Sequence, residues 1–237
     1  MLGLALRCAR CGKPAVIELP SGEQLCERCL ALSLRQRFLT WLRKCKPRPT
    51  DSFVIAYRGD AQSYVAVKLL HEVEKRYGSK IEVFEVGPEP TFARVRDLPV
   101  PVRGFVKAEW RTYTEFRLEL VRALSRLHID SVVVLPDTLE DVAAYTLGEV
   151  LLGDLRGLSL DLEYRVAYPL AAVSVRELQI AFSDVPAQWA VFQQNDHASS
   201  LLRDLSVSAP TVYFSVLSSF VELTSALKRK KGIKGGR

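Results

Sequence analysis

Phe53 to Tyr57 form an unbroken apolar run that passes directly into a short polar turn, and the turn passes into a stretch patterned as a helix. The helix, Gln62–Tyr77, carries Val65, Leu69 and Val73 on one face. A buried strand feeding a tight turn and then a helix leaves a chain few architectures. Two more strand-like runs, Ile81–Val86 and Ser131–Leu135, alternate with helical stretches, the second of these being Tyr113–Leu127 with Phe116, Leu120, Leu124 and Leu127 in register. This alternation predicts an α/β fold built on a doubly wound, mostly parallel sheet. Ligands of such sheets bind beyond the carboxyl ends of the strands, which here are the turns at 58–63 and 136–141.

The first turn, Arg58-Gly59-Asp60-Ala61-Gln62-Ser63, stands where phosphate is commonly cradled, because a helix N-terminus offers free N–H groups and partial positive charge. Its composition opposes that use. It has one glycine, and Asp60 stands where a second would let the backbone approach a phosphate. A carboxylate about 4 Å from a phosphate charge costs roughly 4 kcal/mol at an effective dielectric near 20, of which Arg58 offsets part. The second turn, Pro136 to Asp141, opens a helix with Leu139, Val142, Ala143, Leu147, Val150 and Leu151 on one face, ending at Gly153-Asp154. Its acids pair as Asp137 with Glu140 or Thr138 with Asp141, either of which makes a helix-capping box.

Cys8-x2-Cys11 and Cys26-x2-Cys29 are separated by fourteen residues containing turn signals and a short strand, Ala15–Leu19. This spacing is that of a zinc ribbon. Four thiolates close the coordination sphere, so Cys8, Cys11, Cys26 and Cys29 are expected to hold structural zinc without catalytic chemistry, an iron–sulfur cluster being the lesser alternative. Cys45 is unpaired. The following stretch has Leu30, Leu34, Phe38 and Leu42 at helical spacing, with Arg35, Arg37, Arg43 and Lys44 on the other side, and Lys46-Pro47-Arg48-Pro49 ends it. The expected organisation is a zinc module plus helix at 1–46, the sheet domain at 51–187, a helical segment at 188–227 and a basic tail at 228–237.

Charge is segregated. Residues 1–50 carry 10 Lys/Arg against 3 Asp/Glu, residues 51–227 carry 17 against 24, and residues 228–237 carry 6 and no acids. Basic ends on an acidic body suit a polyanion gripped at its margins; a soluble acidic body with a disordered tail is the plainer alternative. The basic residues available to such a polyanion, RNA if the resemblance given below holds, are Arg7, Arg10, Lys13 and Arg28 in the module and Lys228, Arg229, Lys230, Lys231, Lys234 and Arg237 in the tail. No apolar run approaches the ~20 residues of a membrane span, and the start lacks a signal-peptide pattern. The expected setting is therefore cytoplasmic, with no membrane partner.

Together these features resemble the PP-loop ATP pyrophosphatase family, in its tRNA 2-thiolation branch. Members join an N-terminal zinc module to a Rossmann-like domain, with SGGKDS after the first strand and a GHNLDDEAQT-like stretch after a later one. RGDAQS stands at the first place here, matching at Gly59 and Ser63; PDTLEDVAAYTLGEVLLGD stands at the second, matching at Leu139, Asp141, Ala143, Leu147, Gly153 and Asp154. Tyr168-Pro169-Leu170, Glu177, Leu201-Leu202-Arg203 and Pro210 are similar to later family positions.

The departures imply a changed role. Against the family pattern Arg58 replaces a serine, Asp60 a glycine, Ala61 the lysine and Gln62 the aspartate, while Pro136-Asp137-Thr138 replaces Gly-His-Asn. The resemblance implies reactive cysteines in a catalytic domain, yet no cysteine follows Cys45. Gly59, Ser63 and Asp141 are thus read as remnants of a lost nucleotide site, with ATP not expected as a cofactor. The chain looks like the degenerate second subunit of a tRNA 2-thiolation complex, a non-catalytic partner of an active PP-loop paralogue and of tRNA. Two other functions remain open: an ATP-dependent tRNA-modifying enzyme with a variant loop, and a stand-alone zinc-containing RNA-binding protein. A homodimer is compatible with either.

Overall fold

The computed structural model describes residues 6–90, 98–108, 113–127, 130–185 and 197–230. A small antiparallel hairpin, β1 (Ile17–Glu18) with β2 (Gln24–Leu25), leads into α1 (Glu27–Leu42). The main sheet then builds from β3 (Phe53–Tyr57), α2 (Ala61–Glu74), β4 (Ile81–Gly87), β5 (Val102–Lys107), α3 (Tyr113–Leu127), β6 (Val132–Val134), α4 (Leu139–Leu152), α5 (Arg156–Glu163) and β7 (Val166–Ala167). After it come α6 (Val175–Ala181), α7 (His197–Ser208) and α8 (Val212–Lys230).

The sheet has five strands in the order β5-β4-β3-β6-β7, and every pairing is parallel. The chain starts in the middle, winds one way through β4 and β5, then reverses to β6 and β7. The reversal lies between β3 and β6, which is where doubly wound sheets open a crevice. All five residues of β3 are buried, as a central strand covered on both faces requires.

Side chains of β3 alternate between two cores. Phe53, Ile55 and Tyr57 face α1, α2 and α6, meeting Leu34, Phe38, Leu69 and Leu178. Val54 and Ala56 face α3, α4 and α8, meeting Phe116, Leu120, Val142 and Phe220. Each fully buried Leu or Phe of this kind contributes roughly 1.5–3 kcal/mol. The first core also takes in Cys8, Ile17, Leu25 and Leu30, so the cysteine module and α1 are seated on the sheet.

The outer side of α1 differs from the sequence expectation at one position. Arg37 turns toward α6, where its guanidinium donates to Glu177 at 2.5 and 3.2 Å and to the Ala172 carbonyl at 2.8 Å. It lies one turn beyond the buried Leu34, on the flank of the apolar face, and so reaches the neighbouring helix. Another difference is the last turn of α4, where Val150 and Leu151 are 49% and 57% exposed because the helix runs past the core. Strands β5 and β7 have no counterpart in the sequence reading. Among the described residues, no helix is long and apolar enough to cross a membrane.

Candidate functional site

At the sheet's reversal, the turn after β3 is closed by its own side chains. Gly59 has φ 78°, a left-handed conformation that glycine adopts without a Cβ penalty. Asp60 is the N-cap of α2, its carboxylate accepting from the Ser63 N–H at 2.8 Å. The Ser63 hydroxyl donates to the Asp60 carbonyl at 2.9 Å and accepts from the Arg58 N–H at 3.2 Å. The anion at this helix N-terminus is thus an internal carboxylate.

The turn after β6 faces it. Thr138 caps α4 in a capping box with Asp141, whose carboxylate accepts from the Thr138 N–H and hydroxyl, both at 2.9 Å. Of the two pairings open in the sequence, this one forms; Glu140 instead accepts from the Val175 N–H, at 3.1 and 3.2 Å, at the start of α6.

Arg58 bridges the two turns. Its side chain is 7% exposed, with Nε donating to Asp60 at 2.9 Å, Nη1 to Asp137 at 3.2 Å and Nη2 to the Pro136 carbonyl at 3.4 Å. Nη2 also lies 3.8 Å from Asp141. Burial pulls the guanidinium pKa down, but Asp60, Asp141 and Asp137 more than reverse that, leaving it above the ordinary arginine value. Arg117 from α3, with its side chain 1% exposed, brings a second guanidinium 3.8 Å from Asp137. Its cation stacks over Tyr145 at 3.5 Å and it donates to the Tyr168 hydroxyl. The sequence reading missed Arg117, although a signal exists: an arginine four residues after Tyr113 and four before Val121 lies on the apolar face of α3.

The acids at the crevice are therefore turned inward against two guanidiniums. Burial nevertheless pushes Asp141 up to about 6, with Arg58 opposing and Asp137 adding to the rise. Glu140 is pushed up to about 7, chiefly by burial, with the Asp141 charge adding.

The Glu140 shift sets a pH dependence. From its ordinary value of 4.5 up to about 7, the folded chain keeps a proton that the unfolded chain releases. Its contribution to stability therefore falls as pH rises through that window and is level above it. At about 1.4 kcal/mol per pK unit this amounts to roughly 3 kcal/mol at most. Glu140→Gln keeps an acceptor for Val175 and has no proton to lose. Relative to wild type, the variant is expected to gain stability between pH 5 and pH 8 in urea unfolding; parallel profiles for the two proteins would refute the assignment.

The four cysteines assemble as their spacing predicts. Cys8 sits in the first turn, Cys26 caps α1 and Cys29 lies in its first turn. All four Sγ atoms lie within 4.8 Å of one another, and those of Cys11 and Cys26 are 3.5 Å apart. A tetrahedral ion with metal–sulfur bonds near 2.3 Å needs sulfurs about 3.8 Å apart, so the cluster fits a closed tetrathiolate site. Its electrostatics are those of sulfurs sharing charge. Backbone N–H donors at Cys26 pull the Cys8 thiol down to about 6, while hydrogen bonding with Cys11, burial and the neighbouring thiols push Cys29 up to about 12. Cys45 stands apart, donating to the Leu42 carbonyl, with burial pushing its thiol up to about 11.

The basic residues around this module are exposed, though not equally free. Arg10 forms a paired contact with Glu23 at 2.8 and 3.2 Å, and Arg7 donates to the Gly12 carbonyl at 3.1 Å. Lys13 and Arg28 are exposed. Lys228, Arg229 and Lys230 form the exposed last turn of α8. Lys231, Lys234 and Arg237 lie outside the described residues.

No protein-family model matches the chain. Seventy-four of its residues are 34% identical to cytoplasmic tRNA 2-thiolation protein 2 from Oryza sativa subsp. indica, and the protein of that name from subsp. japonica gives the same figures. The match spans 30% of this chain and 16% of the rice proteins. Among solved structures, the U34-tRNA thiolase NcsA from Methanococcus maripaludis, determined with its [4Fe-4S] cluster, overlies 94% of this chain and 89% of its own, with a TM-score of 0.75 at 15% identity. By fold, then, the chain is similar to a U34-tRNA thiolase, and over 30% of its length its sequence is similar to cytoplasmic tRNA 2-thiolation protein 2.

Proposed function

We propose that this protein is a non-catalytic subunit of a cytoplasmic tRNA 2-thiolation complex, binding a catalytic PP-loop paralogue and tRNA, with zinc as the structural metal of its four-cysteine site. The reading is carried by one observation, the Arg58 guanidinium held between the two turns where the fold would otherwise seat phosphate. A nucleotide phosphate there would have to displace Arg58. It would then meet Asp60, Asp137 and Asp141, each costing roughly 4 kcal/mol at about 4 Å and an effective dielectric near 20. Erosion at Asp60 and Pro136-Asp137-Thr138 is thereby compensated inside the protein, as suits a fold kept for assembly. The similarity to thiolation proteins supports tRNA as the macromolecular ligand and the cytoplasm as the setting. Exposed basic residues at both ends support phosphate contacts that position RNA without reading sequence.

The test is calorimetry with ATP and magnesium on the full chain, paired with affinity capture from the native cell. The expected result is no nucleotide binding below millimolar concentration and recovery of a PP-loop thiolase. Micromolar ATP binding that is abolished by Gly59→Arg would overturn the non-catalytic reading in favour of a variant-loop enzyme.

A further inference from the structure

A second feature lies at the far end of α2. Helices α1 and α2 enclose a groove of about 270 Å³, floored by Phe38, Leu39, Leu69 and Val73 and rimmed by Arg35, Arg43 and Arg76. Glu72 is the one acid of the lining, and it is paired with Arg35 at 3.0 Å. Tyr77, 68% exposed, also lines the groove. Three cations against one acid leave the rim positive, with Arg43, at the end of α1, and Arg76, just past α2, both exposed.

The groove continues a basic surface. Arg28 and Arg35 on α1 and Arg43 at its C-cap fall within about 80° of one another at 100° per residue, and they cover about 22 Å at 1.5 Å per residue. This stripe runs from the cysteine module, where Arg28 stands beside Cys29, to the groove. Spaced cations leading to an apolar floor with an exposed aromatic ring match a single-stranded polynucleotide: arginines meet phosphates spaced along the strand, and an unstacked base lies against the ring.

We infer that the α1–α2 groove is an RNA-binding site that takes a single-stranded phosphodiester segment on Arg35, Arg43 and Arg76 and seats one base against Tyr77. The inference rests on the tRNA reading above and adds the surface that would serve it. The site is separated from the Arg58 cluster by the length of α2, about 20 Å at 1.5 Å per residue, and lies toward the amino ends of the strands, opposite the crevice. RNA held there is turned away from this chain's own crevice, as the presentation of tRNA to another subunit requires.

The test compares the wild-type chain, Arg43→Glu/Arg76→Glu and Tyr77→Ala. Fluorescence anisotropy would be read over a salt series, using an unmodified tRNA transcript and a short oligouridylate. The changed side chains are exposed, so unfolding midpoints are expected to stay at the wild-type value, and these measurements accompany the titrations. The double variant is expected to bind tRNA at least tenfold more weakly, with a salt slope shallower by about 1.5 to 2, because two phosphate contacts are lost. Tyr77→Ala is expected to weaken oligouridylate binding at least fivefold with its slope unchanged. If wild type binds tRNA and the double variant matches it in affinity and slope, the groove is overturned while the tRNA reading stands. If wild type binds no tRNA at low salt, both fall. If the double variant loses only capture of the paralogue, the groove is a protein interface and the inference fails.

Discussion

Arg58→Ala is expected to destabilise the protein by about 3–5 kcal/mol, the range for removing one partner of a buried ion network, and to create no ATP site. The guanidinium is almost wholly enclosed and is within 4 Å of the carboxylates of Asp60, Asp137 and Asp141. Without it, Arg117, 3.8 Å from Asp137, is left to face the three acids. The carboxylates would respond by taking up protons. Asp141 already stands near 6 because of burial, with Arg58 holding it down, so removal of Arg58 moves it further up. The folded variant would then bind protons over a wider range above the ordinary carboxylate value, and its stability would fall as pH rises through that range. The deficit relative to wild type is therefore largest at neutral pH and shrinks on acidification. Urea unfolding at pH 7.5 and pH 5.5 reads both effects. Arg58→Lys should fall between the two, since an ammonium carries the charge but cannot fork to several acceptors. A deficit under about 1 kcal/mol at pH 7.5 would mean that the network does not hold the turns together, and the explanation of the filled crevice would fail with it.

The parts of this fold that could be read from sequence are those whose signal is local. β3 is an unbroken apolar run because it is buried on both faces, and α3 shows a clean helical stripe with Phe116, Leu120 and Leu124 in its core. The cysteines declare themselves by spacing, and their sulfurs meet as expected. β5 was illegible because an edge strand need not be apolar: it carries Arg103, Gly104 and Lys107, and among the described residues it is paired on one side only. β7, of two residues, is too short to carry a period. The crevice was legible in place but not in content. Asp60 read as a charge hostile to phosphate; its use as the cap of α2 requires only Ser63, three residues away, yet Arg58 and Arg117 neutralise the acids across contacts 79 and 20 residues apart in sequence. Such pairings depend on which strands become neighbours, and a single chain read linearly does not contain that. Glu140 followed the same rule: it is one residue from a capping position, yet it is used by α6, 35 residues on.

If the four-cysteine site holds the proposed metal, its removal is expected to have the other large effect, and to reach further than the small module that carries the cysteines. Structural zinc sites contribute about 10–16 kcal/mol of apparent binding free energy in isolated peptides, and four thiolates brought together without a cation repel one another. Here the site is continuous with the main core. Cys26 and Cys29 begin α1, and the same helix places Leu34, Phe38 and Leu42 against Phe53, Ile55 and Leu69 of the sheet domain. Loosening the start of α1 therefore exposes apolar surface on the sheet as well as in the module. A strong chelator, or Cys29→Ser, is expected to lower the thermal midpoint of the whole chain in one transition and to increase binding of a hydrophobic dye at both the module and the sheet. Elemental analysis of anaerobically purified protein is expected to give about one zinc per chain with no broad visible absorption, the metal preferred by a closed tetrathiolate of this spacing. Iron with visible absorption would replace zinc as the resident metal. A chelated protein that keeps its midpoint and loses only the hairpin would show that α1 is held on the sheet by its leucines and Phe38 alone. In that case the module could be removed without cost to the fold, and its cysteines would have to be kept for what they bind or touch outside this chain.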